Sequence, residues 1–498
     1  MQKPVIIPFV IAAVFAGRVA CAADSAAPSA PGSLSVAAAF GDGMVLQREM
    51  PVPVWGAATP GAKVAVAFGG QVKATTGGAD GKWSVKLNAM SASAENRTIS
   101  ISSGTDTVVF KDVLVGEVWL CSGQSNMHWG VNECDVKEEA ATANDPMLRI
   151  RDFSLGLAPT PQTTIKDGQW LPATPQNLGR SGGGLRNGFS VIAYCFGTSL
   201  RRELKVPVGL IQAAWGGSRI EPWTPAIGFQ AVPALKTIAD QVAAGKLNYD
   251  DLQQPTLIYN ALIHPWATYA IRGAIWYQGE SNRGDGMMYC DKMKALIGGW
   301  RQAWNQGNFP FYFVQLAPHN YEQYKQPIPA LALPEIWEAQ TEAAKQITNT
   351  GMAVINDLVT DLQDIHPKNK KPVGERLARL ALSRTYGFKF TDDCGPIFKA
   401  MAIEKNKIRI AFDHAASGLA SRDGKPLDCF EIAGADGKFL AASAEIAGKL
   451  VIVSNPQIAE PREIRFAWNE CAMPNLMNGD KLPASAFQTH NGAKKEAH

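Results

Sequence analysis

The middle of this chain predicts an α/β fold, a parallel sheet covered by helices on both faces. Two observations carry the prediction. Apolar strands of roughly six residues recur about five times, each followed by Gly, Asn or Asp and then an amphipathic helix. Small and polar clusters follow the strands, and in parallel sheets such clusters gather outside the carboxyl ends.

The elements justify themselves in chain order. Residues 113–120 are rich in β-branched and aromatic side chains, and Gly123 lets the backbone turn before Ser125. A second strand over 208–213 runs into Trp215-Gly216-Gly217-Ser218-Arg219, and a third over 273–277 runs into Gln278-Gly279-Glu280-Ser281-Asn282. Strands four and five are expected over 311–316 and 352–357. Between them, Met293, Leu296, Ile297, Trp300 and Trp304 recur at helical spacing, as do Leu377, Leu380 and Leu382 after Gly374. Ser125, Gly217, Gln278, Asn282 and the segment after Asp357 are therefore expected along one sheet edge.

The flanks read differently. Residues 35–108 show short alternating strands (52–55, 63–68, 82–87, 97–101) between Pro-Gly, Gly-Gly and Asp-Gly turns, and 391–490 is again strand-rich, with 407–412 and 450–453 the clearest. Two β-sandwich-like modules packed on a catalytic domain at 109–390 are expected. Residues 1–22 have the form of a signal peptide: a basic start, an apolar stretch too short to span a bilayer, and Ala20-Cys21-Ala22 as a cleavage site. A Ser/Ala/Pro-rich spacer follows over 23–34, so a secreted or periplasmic protein is expected. Arg18 stands where a lipoprotein signal has an aliphatic residue, which argues against an anchor at Cys21. Of the 8 cysteines, Cys21 leaves with the leader, and Cys394, Cys429 and Cys471 share one module in which a disulfide is possible in an oxidising compartment.

The serine turn and one later segment carry chemistry. A serine hydroxyl needs a base within reach, and that base needs a carboxylate to fix its tautomer. Asp357-Leu358-Val359-Thr360-Asp361-Leu362-Gln363-Asp364-Ile365-His366 supplies both. Of the 7 histidines, His490 and His498 sit in the polar C-terminus, His264 in an apolar stretch and His414 in a β region. His128 is too close to Ser125 along the chain, and His319 has no carboxylate nearer than Glu322. His366 remains the candidate base. Alternatives to a functional role stay open for the supporting residues: Gln278 and Glu280 as helix caps, Trp129, Trp215 and Trp223 as core, and Arg219 as either a loop salt bridge or a clamp for a substrate carboxylate.

GEVWLCSGQSNM (116–127), FSVIAYCFGTSL (189–200), GLIQAAWGGSRIEPW (209–223), GAIWYQGESN (273–282) and DIHPKNKKPVGERLA (364–378) follow one another as blocks, with RFAWNECAMPNLMNGDKLPASAF (465–487) after them. In these blocks, and over nearly everything after the leader, the chain resembles the sialate O-acetylesterases, a branch of the SGNH-hydrolase superfamily of serine esterases. The resemblance implies an SGNH, flavodoxin-like doubly wound sheet. It implies Ser125 as nucleophile, His366 as base and Asp364 as its acid. It places an oxyanion hole on the amides of Ser125 and Gly217 and the side chain of Gln278. Arg219, Glu280 and Asn282 are further candidate substrate contacts. The superfamily's usual Asp-x-x-His spacing is not kept, since position 363 is Gln, so Asp357 and Asp361 stand as alternative acids. If Asp364 is the acid, one of its oxygens should lie about 3 Å from His366 Nδ1.

No cluster of Cys, His and carboxylates has metal-site spacing and no phosphate-binding glycine loop occurs, so neither metal nor cofactor is expected. A net charge of +3 over 498 residues argues against nucleic acid or a membrane surface as partner. The function expected is an exported esterase removing O-acetyl groups from carbohydrates, with O-acetylated sialic acids as the substrate class that the resemblance implies. The rivals are an acetylxylan- or pectin-type esterase and a non-catalytic carbohydrate-binding protein.

Overall fold

The structure, a computed structural model, describes residues 34–181, 184–325, 328–329 and 331–489. The expected signal peptide, the spacer up to residue 33, His490 and His498 lie outside the described residues. No helix among the described residues is long and apolar enough to cross a membrane.

A large mixed sheet dominates the molecule. Its central path comprises β1 (Asp106–Gly123), β2 (Asp145–Arg151), β3 (Trp170–Ala173), β4 (Val208–Ala214), β5 (Gly273–Tyr277), β6 (Phe311–Val314) and β7 (Thr350–Ala353), in the order β3-β2-β4-β1-β5-β6-β7. Every neighbouring pair on this path is parallel except β3 with β2. Both faces are covered, as apolar strands without polar alternation require. In register, Trp119 lies beside Gly273 and Ser122 beside Trp276, so the two tryptophans leave opposite faces. Trp119 meets Phe196 of the helix Val191–Leu204, and Trp276 meets Trp300 of the helix Met288–Trp304.

Two strands that the apolar pattern does not predict, β2 and β3, extend the sheet. β2 carries Arg149 and Arg151, which break its apolar run, yet both are buried: Arg149 pairs with Asp112 through two bonds, and Arg151 donates to Ala38 O. The expected strand 311–316 stops at Val314, after which the Gln315 amide bonds Trp337 O and Ser485 Oγ. The expected strand 352–357 begins at Thr350 and ends at Ala353.

β1 runs unbroken through position 108, where sequence composition divides the N-terminal strands from the central region. Its first half pairs with Ser93–Ser103 and its middle with Val45–Gln47. Glu117, fully buried at the join, accepts from Gln47, Arg48 and Arg272. Beyond the helix Lys371–Arg384 two four-stranded sheets follow, one containing Lys407–Asp413 and Leu450–Ser454, the other Phe430–Ala433 and Glu463–Phe466. Phe398, Phe412, Phe466 and Phe487 stack between them. The seven described cysteines are all free thiols, Cys394, Cys429 and Cys471 included, so the disulfide considered for this module is not formed.

Candidate active site

The chain reverses its direction of travel across the sheet at β1, with β4 on one side and β5 on the other. Such a switch point opens a crevice at the carboxyl ends of the strands. Gly123 closes β1 at φ +147, where a Cβ would stand 2.1 Å from Tyr277 O, so only glycine lets β1 and β5 approach this closely. The short helix Ser125–His128 begins two residues later. Gln124 braces it: its N–H donates to Tyr277 O, and its Oε1 accepts from the amides of Gly279 and Ser281. From β4, Gly216 packs against Ser125, and Gly217 takes φ +76 with its carbonyl held by Gln253 and Ser281. The amides of Ser125 and Gly217 have no acceptor among the described residues.

Ser125, Gly216, Gly217, Ile365 and His366 line one cleft of about 900 Å³, with Arg186, Glu280, Tyr321 and Tyr324 as further walls. His366 stacks on Trp129, with ring centroids 4.8 Å apart. Burial lowers the imidazole pKa to about 4, with the charges of Lys370 and Arg186 adding to the effect, so the ring is neutral at neutral pH. Asp364 lies beside it, but its nearer oxygen is 3.9 Å from Nδ1, longer than the expected hydrogen bond; that oxygen accepts the backbone N–H of His366 at 2.9 Å instead. The carboxylate thus shapes the loop first and reaches the ring second. Of the alternative acids, Asp357 is bound by Arg376 through two bonds of 2.7 and 2.6 Å, and Asp361 accepts the Gln363 amide at the exposed side of the loop.

The loop after β5 corrects several expectations. Gln278 is fully buried and does not line the cleft; its Nε2 donates to Ser218 O and Asn282 Oδ1, so its amide hydrogens are spent away from any oxyanion. Asn282, also fully buried, donates to Glu221 and Asp285 and accepts from Ile220 N, which leaves nothing for a substrate. Arg219 borders the cleft, yet its guanidinium is held by Glu221, Asp285 and Ser281 O, so the loop salt bridge is what the fold builds. Burial raises the Glu221 carboxyl, but Lys292 and Arg219 outweigh it and bring the pKa down to about 2. Glu280 does line the cleft, with Oε1 on Asn126 and Oε2 buried without a partner. The cation at the cleft with the more exposed side chain is Arg186, 43% exposed, over the Trp129 ring and 3.4 Å from Glu133.

Two residues to which the sequence assigns no role lie buried directly behind the cleft. Asn126 and Lys370 are each 1% exposed, and Lys370 Nζ donates to Asn126 Oδ1 at 2.6 Å. Asp393, Cys394 and His414 gather elsewhere within 4.8 Å of one another, but Arg384 already binds both Asp393 oxygens and contacts the thiol, a cation where a metal would need to be.

Residues 115–383 match the family model described as a carbohydrate esterase, sialic acid-specific acetylesterase. The chain is similar to sialate O-acetylesterase of Rattus norvegicus, 28% identical over 519 residues that cover 90% of this chain and 93% of the relative. It is 32% identical to sialate O-acetylesterase of Homo sapiens over 387 residues, 71% of each chain. Among solved structures it is similar to a carbohydrate acetylesterase from Xanthomonas citri, with 34% identity, a TM-score of 0.82, and coverage of 92% of this chain and 99% of that one.

Proposed function

The chain belongs to the sialic acid-specific acetylesterase family of carbohydrate esterases, which makes it a carboxylic ester hydrolase, and on that premise we propose that it is an exported serine esterase releasing acetate from O-acetylated sugars, sialic acids foremost. The observation that carries the serine mechanism is convergence: Ser125, Gly217 and His366 arrive from three separate strand ends and line one cleft. Ser125 Oγ attacks the acetyl carbonyl while His366 takes its proton. The tetrahedral oxyanion rests on the amides of Ser125 and Gly217, each worth about 3 kcal/mol in such sites. Collapse breaks the bond to the sugar oxygen, which receives the proton from His366, and water repeats the sequence on the acetyl-serine to release acetate. Asp364 steadies the imidazolium from the same loop. Gln278 acts indirectly, by holding the Ser218 carbonyl and hence the turn that contains Gly217. The parallel sheet with helices on both faces supports an SGNH-type doubly wound domain, with the flanking sheets as sandwich-like modules, and the leader supports export.

The test is acetate release by wild type and Ser125→Ala from O-acetylated sialosides and from acetylated xylo-oligosaccharides. Wild type should release acetate from the sialosides preferentially, and a folded Ser125→Ala should fall by several orders of magnitude on both, since triad members act as a unit. Preference for xylo-oligosaccharides would overturn the sialic-acid assignment. Retained turnover in folded Ser125→Ala would overturn the serine mechanism.

A further inference from the structure

Behind the serine turn lies a buried polar junction that the ester chemistry itself does not require. Asn126, the residue after the candidate nucleophile, donates one amide hydrogen to Glu280 Oε1 at 2.5 Å and the other to Ile365 O at 3.1 Å, the carbonyl immediately before His366. Its Oδ1 accepts from Lys370 Nζ. One side chain therefore ties together the loops that follow β1, β5 and β7. The ammonium is buried among the Tyr277 and Trp129 rings, 5.8 and 6.0 Å from their centroids, and the Trp129 ring is the surface on which His366 stacks. We propose that Lys370 and Asn126 are positioning residues: they lock the histidine loop to the serine turn, and the buried ammonium presents a fixed positive charge to the imidazole. The role assigned to His366 rests on the serine-esterase reading.

A buried ammonium without a paired carboxylate is expensive and persists where something holds it. Burial lowers the Lys370 pKa to about 8, which still leaves it charged at neutral pH. The charges facing His366 are Lys370 and Lys368 from its own loop and Arg186 from the loop before the helix Val191–Leu204, opposed by Asp364. Lys368 and Arg186 are partly exposed and screened by water, whereas Lys370 is not. Glu280 faces Lys370 across Asn126, and burial pushes its carboxyl up, so it is a weaker counter-charge than an exposed glutamate.

The experiment is an NMR titration of the His366 imidazole in wild type, Lys370→Met and Lys370→Arg, with kcat and KM measured on p-nitrophenyl acetate across pH. In wild type His366 should titrate below about pH 5, against an ordinary 6.5. In folded Lys370→Met the midpoint should move up by at least about half a unit and kcat should fall about tenfold with KM nearly unchanged; Lys370→Arg should restore the wild-type midpoint. A wild-type midpoint near 6.5, or an unmoved midpoint in folded Lys370→Met, overturns the proposal, and the wild-type reading needs no variant to fold. If the serine-esterase reading alone were wrong, the midpoints would still shift while Ser125→Ala kept its turnover.

Discussion

His366 and its acidic neighbours show how much rests on single residues. The imidazole pKa is near 4 in the folded protein and 6.5 in the unfolded chain. Under the proposed mechanism the ring acts as base and must be neutral, so the acid limb of kcat/KM, which reports the free enzyme, should fall below about pH 5 and not near 6.5. Stability should run the same way: as pH drops from 6.5 toward 4, the unfolded chain takes up a proton that the folded ring refuses, so the melting temperature should decline across that window. A pH-rate profile and a parallel thermal scan check both. The acids separate by partner. Asp357→Asn breaks a nearly buried two-bond pair with Arg376 and should cost about 3 kcal/mol of stability, read by denaturant unfolding, with turnover little changed in the protein that stays folded. Asp364→Asn should do the reverse, lowering turnover about a hundredfold or more, as the 3.9 Å separation closes when the imidazolium forms. Equal turnover in Asp364→Asn would assign that carboxylate to the loop alone.

At the scale of elements, strands that lie wholly in the core were legible because nothing charged interrupts them, and 208–213 and 273–277 were read almost to the residue. β2 was not legible: its arginines imitate a surface segment, and only the fold reveals that Asp112 and Ala38 O receive them. The site divides along the same line. Sequence names the residues of the serine and histidine loops, because short-range order fixes them, but it cannot tell which way an amide faces, which is why Gln278 and Asn282 differ from expectation, and nothing in the run Lys368-Asn369-Lys370-Lys371 marks Lys370 as the buried member. The Gly123 turn is the element on which the site depends most directly. Gly123→Ala would place a methyl 2.1 Å from Tyr277 O at a φ that L-residues avoid, forcing β1 and β5 apart. A loss of about 3 kcal/mol, measured by denaturant unfolding, together with loss of turnover in the surviving folded fraction, is expected.

Across the whole molecule, the C-terminal sheets reach back to the cleft. Ser485 bonds Gln315 and Thr341 in the core, Ala484 O receives Asn356 just beyond β7, and Glu470 holds the segment that supplies Tyr321 and Tyr324. Glu470 does so twice, with its carbonyl on His319 N–H and its carboxylate on Glu322 N–H. Those tyrosines line the cleft on the wall formed beyond β6, which touches the histidine loop through Asn320 N–H on Leu362 O; the proposed esterase reading assigns them to the sugar and not to the acetyl group. Glu470→Ala removes the carboxylate anchor and leaves the carbonyl. A small ester that fills only the acetyl end of the cleft should be hydrolysed by this variant with kcat and KM close to wild type. An acetylated oligosaccharide, which needs the wall in place, should show KM raised about fivefold, the equivalent of roughly 1 kcal/mol of lost ordering. Parallel kinetics on p-nitrophenyl acetate and an acetylated oligosaccharide check this, and equal effects on both would mean that the module supports the fold without shaping what the cleft accepts.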